Sequence, residues 1–526
     1  MGLPDPSQSP ATPIDRTRRG RSSDPRIDHV RLGLSVGVVA AAAFSRSLEM
    51  WTANAWDISS PLKILALGTA VAVIGVALLL LLARMGSSPV PTSLSMASLI
   101  LVLVNWQSLE GSTRPLLILL ISVFGWLSQR TIATDWVWLA IIFAAAFGVA
   151  PIFQVAASHI EESEPYPLVE RRTPQPAAAS GVIEDVVVVV VDSYPNLHIA
   201  ESWFGHDTGP LTDDLELLGF TVEPGAWSQH TFTSLSVPSI LEVQSVIEGG
   251  PVGPWRNRSS LYRISRGENF TAQTLQSAGF RYTHVESGWD GTTCGAQVDH
   301  CVQAPFFDDQ TWEAMAPTIA RSWLNDSYFT VSGTFNTADA LDRELDAVVS
   351  NGTHDFVFAH FLLPHDPILV DASCANSSDE ARQQVDTATV RAAFSDQMSC
   401  VDRLLIAVLR TVDADTAVLV TGDHGPATRG QLGRTPGKWS DADIAERFSV
   451  LLAHKLPDVC PPPVRPDPMA AMAAILGCAV GADFVIPGPD YLISAHDATD
   501  PVAIDPERMA RIQELVATGS LPSDSG

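Results

Sequence analysis

Five apolar segments crowd the first third of the chain, at residues 31–48, 62–83, 93–107, 114–128 and 135–156. They constrain the fold more than any other feature, because long apolar helices must be covered by lipid or by one another. The second, LKILALGTAVAVIGVALLLLLA, reaches the roughly 20 residues that cross a bilayer, and the fifth, from Trp136, does so equally. The first, third and fourth are shorter. We expect a transmembrane region of about five helices over residues 30–157, behind a disordered cytoplasmic tail over 1–29 that is rich in Pro, Ser and Arg. A cleaved signal peptide fits poorly, since the first segment follows a long tail and four more come after it. Arg16, Arg18, Arg19, Arg21, Arg26 and Arg31 precede or open the first segment and place the N-terminus inside. Arg84 and Arg130 agree, and Arg114 counts against. Five crossings then put everything after about residue 157 outside, giving a multi-pass cell-membrane protein with an extracytoplasmic domain.

The cysteines point to the same side. All six lie between Cys294 and Cys478, an even number confined to one region, as expected of disulfides in an oxidising compartment. Nearest-neighbour pairing gives Cys294–Cys301, Cys374–Cys400 and Cys460–Cys478. Acidic residues outnumber basic ones 59 to 32, for a net charge of −27, which argues against nucleic acid as a partner.

Residues 158–182 form a Pro- and charge-rich linker, residues 183–496 one globular domain, and residues 497–526 a short helix and tail. Within the domain, short apolar runs read as strands at 186–192, 356–363, 416–423 and 448–454. Helical patterns such as 388–412 lie between them. Continuously apolar strands alternating with helices predict an α/β fold, a mostly parallel sheet sandwiched by helices.

Three of these runs end in the same kinds of polar residue. The first leads into Asp192, the second carries His360 and ends at His365, and the third leads into Asp423-His424-Gly425. Ligands of open α/β sheets bind beyond the carboxyl ends of the strands, and Asp and His meeting there can hold a divalent metal. An Asp after a strand is more often a turn residue or helix cap, and a lone His more often structural. The conjunction of three such ends is what carries weight.

From about residue 184 to 456 the chain resembles the alkaline phosphatase/sulfatase superfamily, in particular its membrane-anchored branch of lipoteichoic acid synthases and phosphoethanolamine transferases. The resemblance rests on parts in a fixed order. These are the strand with Asp192, the leucine-spaced helix in GPLTDDLELLGF, a hydroxyl-rich loop at 229–244, the pair His360 and His365, and the strand with Asp423-His424-Gly425. The resemblance implies metal ligands Asp192, Thr233, Asp423 and His424. It also implies Thr233 as nucleophile, with Ser236 and Thr231 as alternatives, and a role at the phosphate for His360 and His365. Oxygen donors with one imidazole suit one Mn²⁺ or Zn²⁺, and admit Mg²⁺. A cation of this kind lowers the pKa of a threonine hydroxyl that is otherwise a poor nucleophile.

A formylglycine sulfatase needs Cys or Ser followed by x-Pro-x-Arg. Ser236-Val237-Pro238-Ser239 is followed here by Ile240. The implied function is therefore metal-dependent transfer of a phosphoglycerol- or phosphoethanolamine-type group, through a phosphothreonine, on a phospholipid or glycolipid at the membrane. A phosphodiesterase, phosphatase or sulfuric ester hydrolase is the alternative, and a non-catalytic envelope-binding protein a further one. Two departures bear on the transferred group. Asp192 stands where many transferases have Glu, and no histidine lies between His424 and His454, where Arg429, Arg434 and Lys438 occur instead.

Overall fold

The computed structural model describes residues 25–53, 61–85, 89–104, 166–174, 178–249, 258–304, 330–351, 353–375, 387–494 and 501–520, with the single positions 121, 142 and 377. The central strand β1 (Asp185–Val191) explains the architecture. All seven of its residues are buried, because its alternate side chains enter two different cores. Val186, Val188 and Val190 pack with Val237, Ile240 and Leu476 on one face. Val187, Val189 and Val191 pack with Leu341, Phe394 and Leu405 on the other. A strand covered on both sides has no polar face to show, hence the unbroken run of valines.

Further strands are β2 (Thr221–Val222), β3 (Arg281–Val285), β4 (His300–Val302), β5 (Asp355–Phe361), β6 (Thr416–Gly422) and β7 (Leu452–Lys455). They form a seven-stranded sheet in the order β2-β7-β6-β1-β5-β3-β4. The pairs β6·β1, β1·β5, β5·β3 and β3·β4 are parallel. The pairs β6·β7 and β7·β2 are antiparallel. Helices Thr330–Asn351 and Thr387–Leu409 contribute to one core, and helices Thr233–Glu242, Phe270–Ser277 and Pro468–Val480 to the other. The expected α/β sandwich with a mostly parallel sheet is thus present.

The run expected as a strand over 448–454 is placed differently. Phe448 ends the helix Asp441–Phe448, which starts on a capping box between Ser440 and Asp443, so strand structure begins only at Leu452. Strand β3 escapes a search for apolar runs because RYTHV mixes polar and apolar side chains. The short helix expected after residue 497 covers Pro506–Ala517, and its Met509, Ile512 and Val516 are buried in the domain core.

The N-terminal region contains helices Pro25–Ala53, Pro61–Arg84 and Pro89–Val104, which cover the first two apolar segments and residues 93–104 of the third, residues 105–107 lying outside the described residues. Val38 and Ala42 of the first helix pack with Val90, Leu94 and Ala97 of the third. The second crosses the first closely, where a Cβ on Gly75 would lie 2.7 Å from Val39. Among the described residues, no helix is long and apolar enough to cross a membrane. The fourth and fifth segments, apart from positions 121 and 142, lie outside the described residues. Disulfides join Cys294 to Cys301, Cys374 to Cys400 and Cys460 to Cys478.

Candidate metal centre and nucleophile

The sheet register brings distant residues together. Val191 of β1 pairs with Gly422 of β6, so Asp192 and Asp423 leave adjacent strands at the same level. Val190 pairs with His360 of β5 on the other side. Ser193 then turns the chain with φ 63°, a left-handed conformation that non-glycine residues seldom adopt. Its N–H donates to Asp423 Oδ1 at 3.1 Å and its hydroxyl to Asp192 Oδ1 at 3.2 Å, so the unusual backbone is held by the two carboxylates it joins. After His424 the chain passes so close to the helix Asp441–Phe448 that a Cβ on Gly425 would lie 1.8 Å from the Glu446 carbonyl oxygen. Only glycine fits there.

Thr233 is the first residue of the helix Thr233–Glu242 and follows Phe232 in extended conformation. Its Oγ1 lies 3.1 Å from His424 Nε2. Asp423 Oδ2 is 3.3 Å and Asp192 Oδ1 3.7 Å from the same nitrogen. Ligands on one ion with bonds of about 2.0–2.2 Å in tetrahedral array sit about 3.3–3.6 Å apart, close to this spacing. The histidine tautomer also fits. His424 Nδ1 lies 3.1 Å from the Gly425 carbonyl, which can only accept, so Nδ1 carries the proton and Nε2 offers its lone pair. Asp423 Oδ2 is buried with no hydrogen-bond partner, an orphan that a cation would satisfy. Asp192, Asp423 and His424 therefore fit a divalent ion, with the Thr233 hydroxyl beside them. Among the described residues one other candidate group, Glu286 with Cys294 and Cys301, has both sulfurs taken by a disulfide.

Burial dominates the electrostatics. It raises Asp192 to about 7. Burial and then the charge of Asp192 raise Asp423 to about 7 as well. His424 is held well below the ordinary histidine value by burial and by Arg447.

The remaining predicted residues separate. His360 is fully buried, with Nδ1 3.2 Å from Thr292 Oγ1 and Nε2 3.6 Å from Asp192 Oδ2. Burial lowers it to about 3, so it stands as a neutral ring behind Asp192 and does not line the cavity. His365 does line it. Its ring centre is 6.2 Å from that of His424, and its Nδ1 donates to the Asp366 carbonyl at 2.5 Å. This cavity, about 270 Å³, is shared by Ser193, Thr233, His424 and Arg447. Ser236 and Thr231 lie elsewhere. Ser236 Oγ contacts Ser228 Oγ and the His230 carbonyl, each at 3.4 Å, and Thr231 Oγ1 accepts from Ser494 N at 3.1 Å.

Sequence reasoning passed over three groups. Ser193 is visible only through its backbone angle, and Thr292 only as the partner of His360. Arg447 sits in an ordinary helical stretch, AERF, yet its guanidinium reaches His424, Gly425 and Thr231.

The sequence profile of the sulfatase family matches residues 184–450, half of the chain and the whole of this site. The chain belongs to the sulfatase family. Members of this family and its superfamily are enzymes. Among solved structures, similarity is found to the integral membrane lipooligosaccharide phosphoethanolamine transferase A of Neisseria meningitidis, at 14% identity and TM-score 0.38, covering 83% of this chain and 89% of that one. The zinc complex of the periplasmic domain of an Escherichia coli protein, EcEptC, is similar at 10% identity and TM-score 0.43, covering 67% and 100%. The lipoteichoic acid synthase LtaP of Listeria monocytogenes is similar at 11% identity and TM-score 0.40, covering 69% and 97%. No curated protein matches the sequence.

Proposed function

We propose that this sulfatase-family chain is a metal-dependent phosphoryl-group transferase, of phosphoglycerol or phosphoethanolamine type, anchored in the cell membrane with its catalytic domain outside. The reading is carried by Thr233, a hydroxyl at a helix N-terminus, 3.1 Å from His424 Nε2 and beside two buried carboxylates. Asp192, Asp423, His424 and Thr233 would hold one divalent ion, Mn²⁺ or Zn²⁺ and admitting Mg²⁺, which when bound lowers the hydroxyl pKa and offsets charge on the phosphoryl group. Thr233 Oγ1 gives up its proton to solvent and attacks the phosphorus of a phospholipid headgroup. A P–Oγ1 bond forms, the bond to the lipid alcohol breaks, and its electron pair leaves on the alcohol oxygen. His365, doubly protonated with Nδ1 donating to the Asp366 carbonyl, gives its Nε2 proton to that oxygen and is left neutral. An acceptor hydroxyl on an envelope lipid or glycan then attacks the phosphothreonine, with the now neutral His365 receiving its proton on Nε2; the P–Oγ1 bond breaks, its electron pair leaves on Oγ1, and Thr233 recovers its proton from solvent. The N-terminus of the helix Thr233–Glu242 favours the negative charge of the phosphoryl oxygens throughout.

Water as acceptor would make the same site a phosphodiesterase, and product analysis with and without a glycolipid acceptor separates the two. An aldehyde-type sulfatase is disfavoured, because Ser236 is buried among Ser228 and His230 and not beside the carboxylates. The test is mass spectrometry of the protein after incubation with membrane lipids. A phosphodiester adduct on the Thr233 peptide is expected, absent from Thr233→Ala. Wild-type turnover in Thr233→Ala removes the mechanism.

A further inference from the structure

Arg447 is a buried guanidinium to which the reaction above gives no role. Its Nε donates to the Thr231 carbonyl at 2.8 Å and Nη1 to the Gly425 carbonyl at 2.6 Å. It thereby ties the loop carrying Thr233 to the loop carrying His424. Its carbon Cζ lies 5.4 Å from the centre of the Phe232 ring, and the side chain lines the cavity shared by Thr233 and His365. The third contact differs in kind. Nη2 donates to His424 Nε2 at 3.2 Å, the one lone pair that the imidazole can offer, since Nδ1 is committed to Gly425. A cation and an N–H cannot both use that lone pair.

We infer that Arg447 is the group that binds a non-bridging oxygen of the phosphoryl group, and that its Nη2 donors are released for this when a cation takes His424 Nε2. The inference rests on the transferase reading above and adds to it a residue and an order of events. Nε and Nη1 stay anchored on two carbonyls, so the planar fork keeps its place while Nη2 changes partner. Asp192 and Asp423 are the charges that Arg447 faces, along with Glu446 and Asp366. Once a cation offsets the first two, the charge of the guanidinium is turned toward the incoming anion. Cation and anion then bind cooperatively, each strengthening the other by the same factor.

The test uses the full-length protein in detergent, titrated calorimetrically with Mn²⁺ alone and then with inorganic phosphate. Wild type is expected to bind Mn²⁺ and, when loaded, to bind phosphate. Arg447→Gln is expected to bind Mn²⁺ at least as tightly, because a competing donor is gone. Its phosphate affinity in the Mn²⁺-loaded state should fall about 10- to 100-fold, the effect of a charge-assisted hydrogen bond. Circular dichroism checks folding. If the glutamine variant does not fold, Arg447→Lys carries the test. One ammonium cannot hold two carbonyls and an oxyanion together, so phosphate affinity should fall about tenfold with Mn²⁺ affinity kept. Unchanged phosphate affinity in a folded, Mn²⁺-loaded variant overturns the inference and leaves the transferase reading standing. Loss of Mn²⁺ binding in a folded variant makes Arg447 a scaffold of the cation site and overturns it too. Wild type that binds none of Mn²⁺, Zn²⁺ and Mg²⁺ fails the transferase reading itself.

Discussion

Replacing Asp423 by asparagine should stabilise the metal-free protein and abolish its response to metal. Asp423 is fully buried; Oδ1 accepts from Ser193 N at 3.1 Å and Oδ2 has no partner. Burial, then the charge of Asp192, raise its pKa from 3.8 to about 7. The unfolded chain loses this proton near its ordinary value and the folded chain near 7. Stability is therefore highest below about pH 4 and falls as pH rises to about 7, by roughly 4 kcal/mol for this group alone. Asparagine keeps the Oδ1 acceptor, carries no charge, and relieves Asp192 of part of its own repulsion. Near pH 8, metal-free Asp423→Asn should exceed metal-free wild type by about 2–4 kcal/mol, a gap that closes near pH 4. With Mn²⁺ at about 100 times its Kd, wild type gains about 2.7 kcal/mol and the variant little. Denaturant unfolding of the full chain in detergent, with chelator or with Mn²⁺ at both pH values, reads all four states. A metal-free variant less stable than wild type near pH 8 would show that the carboxylate is a structural acceptor and not a strained ligand.

Two more substitutions probe the site from other sides. His365→Gln removes the proton donor from the cavity, and its ring meets that of the proposed ligand His424 only at a tilt, 6.2 Å between ring centres, so turnover should fall about 100-fold or more with Mn²⁺ affinity little changed. A loss of cation binding in that variant would count against its role. Gly425→Ala places a Cβ 1.8 Å from the Glu446 carbonyl and must push apart the Gly425–Arg447 contacts at 2.8 and 2.6 Å. Overpacking and disturbed buried hydrogen bonds together should cost about 3–5 kcal/mol, seen as a lower unfolding midpoint.

Asp192, Asp423 and His424 were legible because a run such as VVVVVV can only be a strand buried on both faces, and the polar residue ending it must emerge at the sheet rim. Adjacency of those rims follows from strand order, which the sequence does not display. The register Val191↔Gly422 supplies it. The hydroxyl loop left Thr233, Ser236 and Thr231 open. The fold separates them, since Thr233 opens the helix at the cluster while Ser236, nearly a turn further in, has its hydroxyl at Ser228 and the His230 carbonyl, and Thr231 is bound to Ser494. Arg447 was illegible for a different reason. An arginine late in an amphipathic helix is ordinarily solvated, and nothing local says that this one turns inward to two carbonyls 22 and 216 positions away.

The link from Ser193 to Asp423 spans 230 positions of chain. A fragment emerging early from synthesis carries Asp192 and Thr233 but neither Asp423 nor His424, so a nascent polypeptide has only half of the cluster with which to capture an ion. Assembly waits until β6 has docked beside β1, which is among the slower kinds of contact to form. Whichever compartment completes that docking therefore chooses the ion from its own supply, and mismetallation becomes a question of where the domain folds.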